Sequence, residues 1–304
     1  MSAFDGLSCS AAAADIPLPG SATRVGGWLC VEQPGAWGRD VIGDAVLGAE
    51  LTVELAARTK AAAVRPTLIR QPGRSEFSGV RTVLLIASRP GDAWCERLEI
   101  TDLNQLLDID LDVLHGPAPG LGAAVTEPLA LACTHGKRDQ CCALLGRPIA
   151  SRLAAEYPGR VWECSHTGGH RFAPALVIAP AGLTYGRIDG DAAVRAMALA
   201  SRNELSLDGF RGRSGYSPVQ QVAEIAVRER VSAAADQLTV TTVEGMDPAG
   251  APATFAGAAQ VTHADGRRWL VTTRTVGYPS RQASCGAAPK PATAVVADEV
   301  RALG

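Results

Sequence analysis

Aromatic residues and long apolar runs are scarce in this chain of 304 residues. Aromatic side chains make up 5% of it, too few to favour the stacking platforms on which proteins bind single-stranded nucleic acid. No apolar run approaches the ~20 residues that a transmembrane helix requires. The net charge is −2, and no basic patch stands out. Neither a nucleic-acid partner nor insertion into a membrane is therefore expected.

The N-terminus also lacks the features of a secretory signal, since no positively charged segment precedes an apolar stretch. The cytoplasm is the expected compartment. In a reducing compartment the eight cysteines are expected to be free thiols or metal ligands rather than disulfides. Apolar residues make up 47% of the chain, enough for a packed core, and the length favours two or three lobes.

Changes in composition divide the chain into four parts. Residues 1–22 are rich in Ala, Ser and Pro and are expected to form a flexible lead-in. An α/β lobe is expected over residues 23–125, and Pro-Ala-Pro-Gly at 117–120 marks its end. A second lobe is expected over residues 126–206, and a C-terminal α+β region over 207–304.

The second lobe has the element order of a thioredoxin-like fold. Apolar patterns and turn residues predict strands over 129–132 and 161–164, separated by a helix over 141–156. A hairpin over 175–187 and a helix over 191–200 follow. The first lobe repeats this order loosely. The expected fold class is therefore α/β, with a degenerate tandem pair of thioredoxin-like lobes, although two unrelated α/β lobes would give a similar pattern.

The C-terminal region has a different composition. The pattern predicts a helix over 218–230, with proline at its first position, where the missing N–H has no cost. Segments rich in Val and Thr predict strands over 238–243, 258–261 and 269–274. The tail over 289–304 is rich in Pro and Ala and is expected to be briefly helical.

Two short segments contain an unusual share of the reactive side chains. They are Cys-Thr-His-Gly-Lys-Arg-Asp-Gln-Cys-Cys at 133–142 and Cys-Ser-His-Thr-Gly-Gly-His at 164–170. Four of the eight cysteines and three of the five histidines fall in them. Thiolates together with imidazoles select iron–sulfur clusters, zinc or copper. A metal or cluster site is therefore expected here.

The spacing within these segments favours a group larger than one ion. Eight residues separate Cys133 from Cys142, whereas zinc ribbons and fingers usually pair cysteines about two to four residues apart. Between His166 and His170 lie two glycines. Without Cβ atoms, this backbone can approach a cluster closely and direct N–H groups at its sulfides, which is one of the factors that set the reduction potential.

The cysteine loop at 133–142 and the segment Trp-Glu-Cys-Ser-His-Thr-Gly-Gly-His-Arg-Phe-Ala-Pro at 162–174 resemble the sucraseferredoxin-like family. This family is a branch of the thioredoxin-like ferredoxins. The resemblance is strongest over residues 129–187 and weaker in the flanking lobes. The His-x-Gly-Gly-His signature after a cysteine-rich loop is its most specific feature.

The resemblance implies a [2Fe–2S] cluster with two cysteine and two histidine ligands. Thioredoxin-like ferredoxins use four cysteines, and in this branch histidines replace the second pair. The positions that match are Cys133, Cys142, His166 and His170.

Two alternatives for the ligands remain open. Cys141 adjoins Cys142, and only the spacing of the motif favours Cys142. A Rieske centre also uses two cysteines and two histidines. The corresponding set would be Cys133, His135, Cys164 and His166, which leaves the second histidine and the Gly-Gly pair without a role.

The other cysteines are scattered in the sequence. Cys9, Cys30, Cys95 and Cys285 are each expected to be isolated thiols. Among them, Cys285 lies in a loop rich in Gly and Ala and is the one expected to be reactive.

The function implied by the resemblance is one-electron transfer to and from a redox partner protein, either a reductase or an acceptor. Neutral imidazole ligands make electron uptake easier than thiolates do, as the higher potentials of Rieske centres illustrate. A ligand histidine keeps one titratable ring nitrogen, so proton-coupled redox is expected. Sucrase activity has no support, because no carboxylate pair is placed as a glycosidase requires.

Two rival functions would use the same region. A thioredoxin-like thiol oxidoreductase would use Cys133 or the Cys141–Cys142 pair, although no Cys-x-x-Cys is present at a strand-to-helix turn. A structural zinc protein would use the four ligands that the resemblance implies.

Overall fold

The structure, a computed structural model, describes residues 4, 6–73, 77–245 and 253–304. It is a mixed α/β structure in which strands predominate. The helices are α1 (Cys9–Ala12), α2 (Ala49–Ala61), α3 (Gln140–Glu156), α4 (Gly190–Ala200) and α5 (Pro218–Arg228). The strands are β1 (Gly27–Glu32), β2 (Val64–Arg70), β3 (Arg81–Ala87), β4 (Trp94–Ile100), β5 (Ala123–Ala124), β6 (Leu129–Cys133), β7 (Val161–Cys164), β8 (Ala175–Ala179), β9 (Leu183–Gly186), β10 (Phe210–Arg213), β11 (Leu238–Val243), β12 (Phe255–His263), β13 (Arg268–Gln282) and β14 (Pro289–Leu303).

A ten-stranded mixed sheet contains both lobes, with strand order β10-β9-β8-β6-β7-β2-β1-β3-β4-β5. In the first half, β1 runs parallel to β2 and antiparallel to β3, which pairs with β4. In the second half, β6 runs parallel to β7 and antiparallel to β8, which pairs with β9. The halves are joined by the antiparallel pair β2–β7, in which Ile69 lies opposite Cys164.

The elements of the second lobe lie where the sequence patterns predicted them, to within one residue at each end. Strand β6 forms because its five residues are all buried and apolar, as expected of a central strand. Helix α3 begins after Asp139, whose carboxylate accepts a hydrogen bond from the Cys141 N–H at 2.9 Å. It ends before Pro158, which cannot continue a helix.

Alternate residues of β1 face two different apolar clusters. Leu29 and Val31 pack in a cluster with α2, whereas Trp28 and Cys30 pack in a cluster that spans the two halves. The spanning cluster also contains Cys133. The end of β6 therefore lies in the apolar interior shared by both lobes.

The N-terminal segment and the C-terminal sheet lie against this core. Cys9 and Ala12 of α1 are buried, as is Ile16. Strands β11 to β14 form a separate antiparallel sheet in that order, and α5 packs on it. None of the helices in the described part of the chain has the length and apolar character needed to cross a bilayer.

The expectation of a brief helix in the C-terminal tail is wrong. Pro289–Leu303 is strand β14, which pairs with β13 along most of its length. The alanines of the tail favour a helix only weakly. The β-branched residues Thr293, Val295 and Val296 suit a strand, and the long neighbouring strand β13 satisfies their backbone groups. Tertiary pairing therefore outweighs local propensity in this segment.

Candidate metal centre

The predicted ligands lie at the ends of adjacent elements. Cys133 is the last residue of β6, and Cys142 lies in the first turn of α3. His166 follows the end of β7, and His170 begins a 3₁₀ turn that ends at Phe172. Because β6 and β7 are parallel neighbours, their carboxyl ends meet at one edge, and the loops that follow them converge.

The structure brings three of the four predicted ligands into one group. The ligand atoms of Cys133, Cys142 and His166 all lie within 4.8 Å of one another. Both cysteines are fully buried. Helix α3 can lie this close to β6 because Gly146 has no side chain: a Cβ there would lie 2.1 Å from the Cys133 carbonyl oxygen.

The fourth predicted ligand is adjacent to this group. The rings of His166 and His170 have centroids 4.8 Å apart with an interplanar angle of 34°. Each ring has a buried Nδ1 atom with no hydrogen-bond partner among the described residues. An imidazole nitrogen without a donor or acceptor opposite it is free to bind a metal.

The two thiols have opposite pKa shifts. A hydrogen bond from the Cys142 thiol, and then one from His166, lower the pKa of Cys133 well below its ordinary value. The pKa of Cys142 is raised because it shares that hydrogen bond with Cys133 and is desolvated by burial. Burial and the neighbouring His166 lower the pKa of His170, which keeps its ring neutral at neutral pH. Thiolate and neutral imidazole are the protonation states that bind metals.

The two glycines between the histidines are required by the local packing. Gly168 and Gly169 have φ values of +103° and +72°, which disfavour any residue with a side chain. A Cβ on Gly168 would lie 1.8 Å from Thr23 Oγ1, and one on Gly169 would lie 2.2 Å from Arg211 Nη2. Packing of the loop against these two residues is therefore one reason for the Gly-Gly pair.

Arg211 is a buried cation beside the centre that the sequence patterns did not reveal. Its guanidinium donates to Ser21 Oγ at 3.0 Å and to the Gly168 carbonyl at 3.3 Å. Burial, together with neighbouring arginines, lowers its pKa to about 9, whereas Cys133 and Cys142 raise it. Arg211 therefore offsets the negative charge of thiolates at this site. This role is visible only in the structure, where β10, which contains Arg211, lies at the edge of the sheet.

A basic cleft of about 230 Å³ adjoins His166. Its charged lining comprises Arg39, Asp40, Arg65 and Arg138. Arg65 donates to the His166 carbonyl at 2.6 Å. Because His166 is only half-buried and lines this cleft, it connects the buried thiols with the surface.

The residues of the Rieske-like alternative do not converge in the same way. The His166 N–H donates to His135 Nδ1 at 3.2 Å, and His135 Nε2 contacts the Gly38 carbonyl at 2.5 Å. Both ring nitrogens of His135 are therefore engaged by backbone groups. Cys164 is buried at the end of β7, opposite Cys133 in the register.

A second group of metal-binding side chains lies beside the first. The ligand atoms of Cys9, Asp139, Cys141 and Cys285 lie within 4.8 Å of one another. Cys141 therefore belongs to a different group from Cys142. The expectation that Cys9 and Cys285 are isolated thiols is wrong, because the fold brings both to the start of α3.

Comparison with known proteins agrees with the features of the site. A family model described as sucrase/ferredoxin-like matches residues 18–200, which is more than half of the chain. No curated protein and no solved structure shows a significant match. The match includes both segments that carry the predicted ligands and confirms the resemblance expected from them. The chain therefore belongs to the sucrase/ferredoxin-like family.

Proposed function

We propose that this protein transfers single electrons through a [2Fe–2S] cluster held by Cys133, Cys142, His166 and His170. The observation that carries the proposal is the convergence of two buried thiols and one imidazole within 4.8 Å, with a second imidazole beside them. The convergence occurs in a member of the sucrase/ferredoxin-like family.

The thioredoxin-like fold and the tandem arrangement are part of this proposal. In their support, the strand orders β2-β1-β3-β4 and β7-β6-β8-β9 are equivalent in the two halves, and each contains one parallel pair. The division at residues 22, 125 and 206 and the cytoplasmic location stay predictions. The eight free thiols are consistent with a reducing compartment.

The residues at the site fit such a cluster chemically. Soft thiolates and imidazoles are the donors found in iron–sulfur proteins. The unpartnered Nδ1 atoms of both histidines are available for coordination. When bound, a [2Fe–2S] cluster supplies reversible one-electron redox chemistry.

The chain's own residues would set the electrostatics of electron uptake. Cys133 and Cys142 contribute two negative charges, and two neutral imidazoles add none. The cation of Arg211 is held near both thiols. Burial of both cysteines excludes water. These features favour uptake of an electron relative to a site with four thiolates.

His166 would form the route between the site and a partner protein. It is half-buried, and it lines the cleft that contains Arg39, Arg65 and Arg138. We propose that a redox partner docks here with an acidic surface, since complementary charge accelerates encounter.

Each of the two rival functions, thiol oxidoreductase and structural zinc protein, has one observation in its favour. Because the lowered pKa of Cys133 beside the thiol of Cys142 is a feature of dithiol chemistry, a thiol oxidoreductase is the second candidate. Full burial of both cysteines opposes the oxidoreductase, because a substrate disulfide needs access to the thiols.

A structural zinc protein is the other rival, because the compact group of Cys133, Cys142 and His166 would also suit one tetrahedral zinc ion. Inorganic sulfide is present only under the proposed function.

Protein purified anaerobically is expected to be red-brown and to contain about two irons and two acid-labile sulfides per chain. Zinc bound elsewhere in the chain would not change these two contents. Iron, sulfide and zinc analyses of the same sample provide the test. Zinc or no metal at all, in the absence of sulfide, would contradict the proposal. A reducible disulfide between Cys133 and Cys142 in metal-free protein would instead favour the oxidoreductase.

Reversing the charge of Arg138 is expected to slow electron exchange with an anionic oxidant. At low ionic strength, R138E reduced with dithionite should reduce ferricyanide about ten-fold more slowly than wild type, because the cleft no longer attracts the anion. A cationic oxidant, hexaammineruthenium(III), should react faster. R195E is the matched control, since Arg195 is also a surface arginine paired with an aspartate but lies outside the cleft. Equal effects in both variants would exclude the cleft as the route.

A further inference from the structure

We propose that Cys9, Cys141, Cys285 and Asp139 form a second metal site that binds one structural Zn²⁺. The ligands come from three distant parts of the chain. Cys9 begins α1, and Asp139 and Cys141 lie at the start of α3. Cys285 lies in the connection between β13 and β14. The site is distinct from the centre of the proposed function and does not depend on it.

The sulfur positions suit a tetrahedral ion. Cys9 Sγ lies 3.7 Å from Cys141 Sγ, which lies 3.3 Å from Cys285 Sγ. Zinc–sulfur bonds of about 2.3 Å at the tetrahedral angle place neighbouring sulfurs about 3.8 Å apart. A disulfide would require about 2.05 Å. The carboxylate of Asp139 lies 3.4 Å from Cys9 Sγ and supplies the fourth donor.

Hydrogen bonds already support three of the four ligands as anions, while the thiol of Cys9 donates to the Asp139 carboxylate. Asp139 Oδ2 accepts from the Cys285 N–H at 2.8 Å and from Ser284 Oγ at 3.0 Å. Ser10 Oγ donates to Cys141 Sγ at 3.3 Å, and the Cys9 N–H donates to Cys285 Sγ at 3.4 Å. Donors directed at thiolates and carboxylates are the outer-shell contacts that orient metal ligands. Their presence distinguishes this group from a chance cluster of thiols.

The donor set favours zinc over other ions. Three thiolates exclude hard cations such as Mg²⁺ and Ca²⁺. The carboxylate completes a four-coordinate site of the kind that Zn²⁺ prefers. Cys9 and Cys141 are buried, while Cys285 is half-buried, so the ion can enter on the side of Cys285. Binding would release the protons of the three thiols.

A zinc ion here would fasten two segments that are distant in the sequence to the second lobe. It would link α1 and the β13–β14 connection to the first turn of α3, where Cys142 also lies. Cys9, Cys141 and Ala173 already share a small apolar cluster, packed on one side by Cys285. Ala173 directly follows the turn that His170 begins. The zinc would therefore hold α1 and the β13–β14 connection against the start of α3 and the end of this turn.

The test compares zinc and iron contents of the purified holoprotein and its variants by elemental analysis. Wild type should contain one zinc per chain. After dialysis against a mild chelator, C285S and C9S should retain at least ten-fold less zinc than wild type, with iron, sulfide and the visible spectrum unchanged. D139N should also lose zinc, although asparagine can still cap α3. C95S removes a buried cysteine remote from the group and should keep zinc.

Zinc-edge X-ray absorption gives a second readout that does not depend on the stability of any variant. We expect three sulfurs at about 2.3 Å and one oxygen at about 2.0 Å. Wild type with a full iron complement and no zinc would overturn the proposal. A disulfide between Cys141 and Cys285 in anaerobically handled protein, detected by peptide mapping, would also overturn the proposal. If the centre of the proposed function instead held zinc, wild type would contain two zincs, and C285S would lose only one.

Discussion

C133S is expected to purify colourless, with its iron and acid-labile sulfide contents more than ten-fold below wild type. Serine keeps the size of the side chain but replaces a thiolate with a hydroxyl, which is a poor ligand for iron at neutral pH. The position is fully buried at the end of β6, so no solvent ligand can replace the sulfur. Elemental analysis and visible absorption of anaerobically purified protein measure the loss.

The neighbouring cysteines of α3 provide an internal comparison. C142S should lose iron and sulfide as C133S does, whereas C141S should retain both, because Cys141 belongs to the other group. Circular dichroism of each variant, with C95S as the folding control, separates ligand loss from unfolding. Loss of iron in C141S together with its retention in C142S would show that the ligand assignment is displaced by one residue.

H166C and H170C are each expected to lower the midpoint potential by on the order of 100 mV, provided that the variant binds the cluster. The substitution replaces a neutral ligand with an anionic one, which disfavours an additional electron. Direct voltammetry measures the shift. H115Q is the control, since His115 ends a 3₁₀ helix that precedes β5 and contacts the Ala62 carbonyl. Unchanged potentials in both cysteine variants, with intact clusters, would exclude these histidines as ligands.

The same variants test proton coupling. In wild type the potential should fall as the pH rises, with a slope approaching ~59 mV per unit where one proton accompanies one electron. The free ring nitrogen of a ligand histidine carries that proton, so each cysteine variant should have a weaker slope. Voltammetry from roughly pH 5 to 10 brackets the transition. A potential in wild type that does not change with pH would exclude the coupling.

Local patterns predicted the second lobe well because each element has its own signal. β6 is a short buried apolar run, and α3 ends where Pro158 stops it. The same reasoning failed for β14. Its alanines and prolines carry no strong strand signal, and its partner β13 is required to show that it pairs. Strand formation there is a non-local property.

The candidate site was predicted in part for a similar reason. The predicted thiol and imidazole ligands lie in two compact segments, and their spacing could be compared with a known family. Arg211 could not be found in this way, because it is an ordinary arginine in the sequence that becomes a buried cation only when β10 joins the sheet. Cys9 and Cys285 lie 132 and 144 residues from Cys141, so no motif connects them.

By itself, the sequence determined to which family the chain belongs, and it singled out the candidate ligands of the 133–142 and 164–170 segments. Both follow from residue types and short spacings, which are local. Tertiary structure decided which cysteine joins which group. Neighbouring residues of a helix point about 100° apart, so the packing of α3 against β6, which Gly146 permits, directs Cys142 towards Cys133 and leaves Cys141 with Cys9 and Cys285.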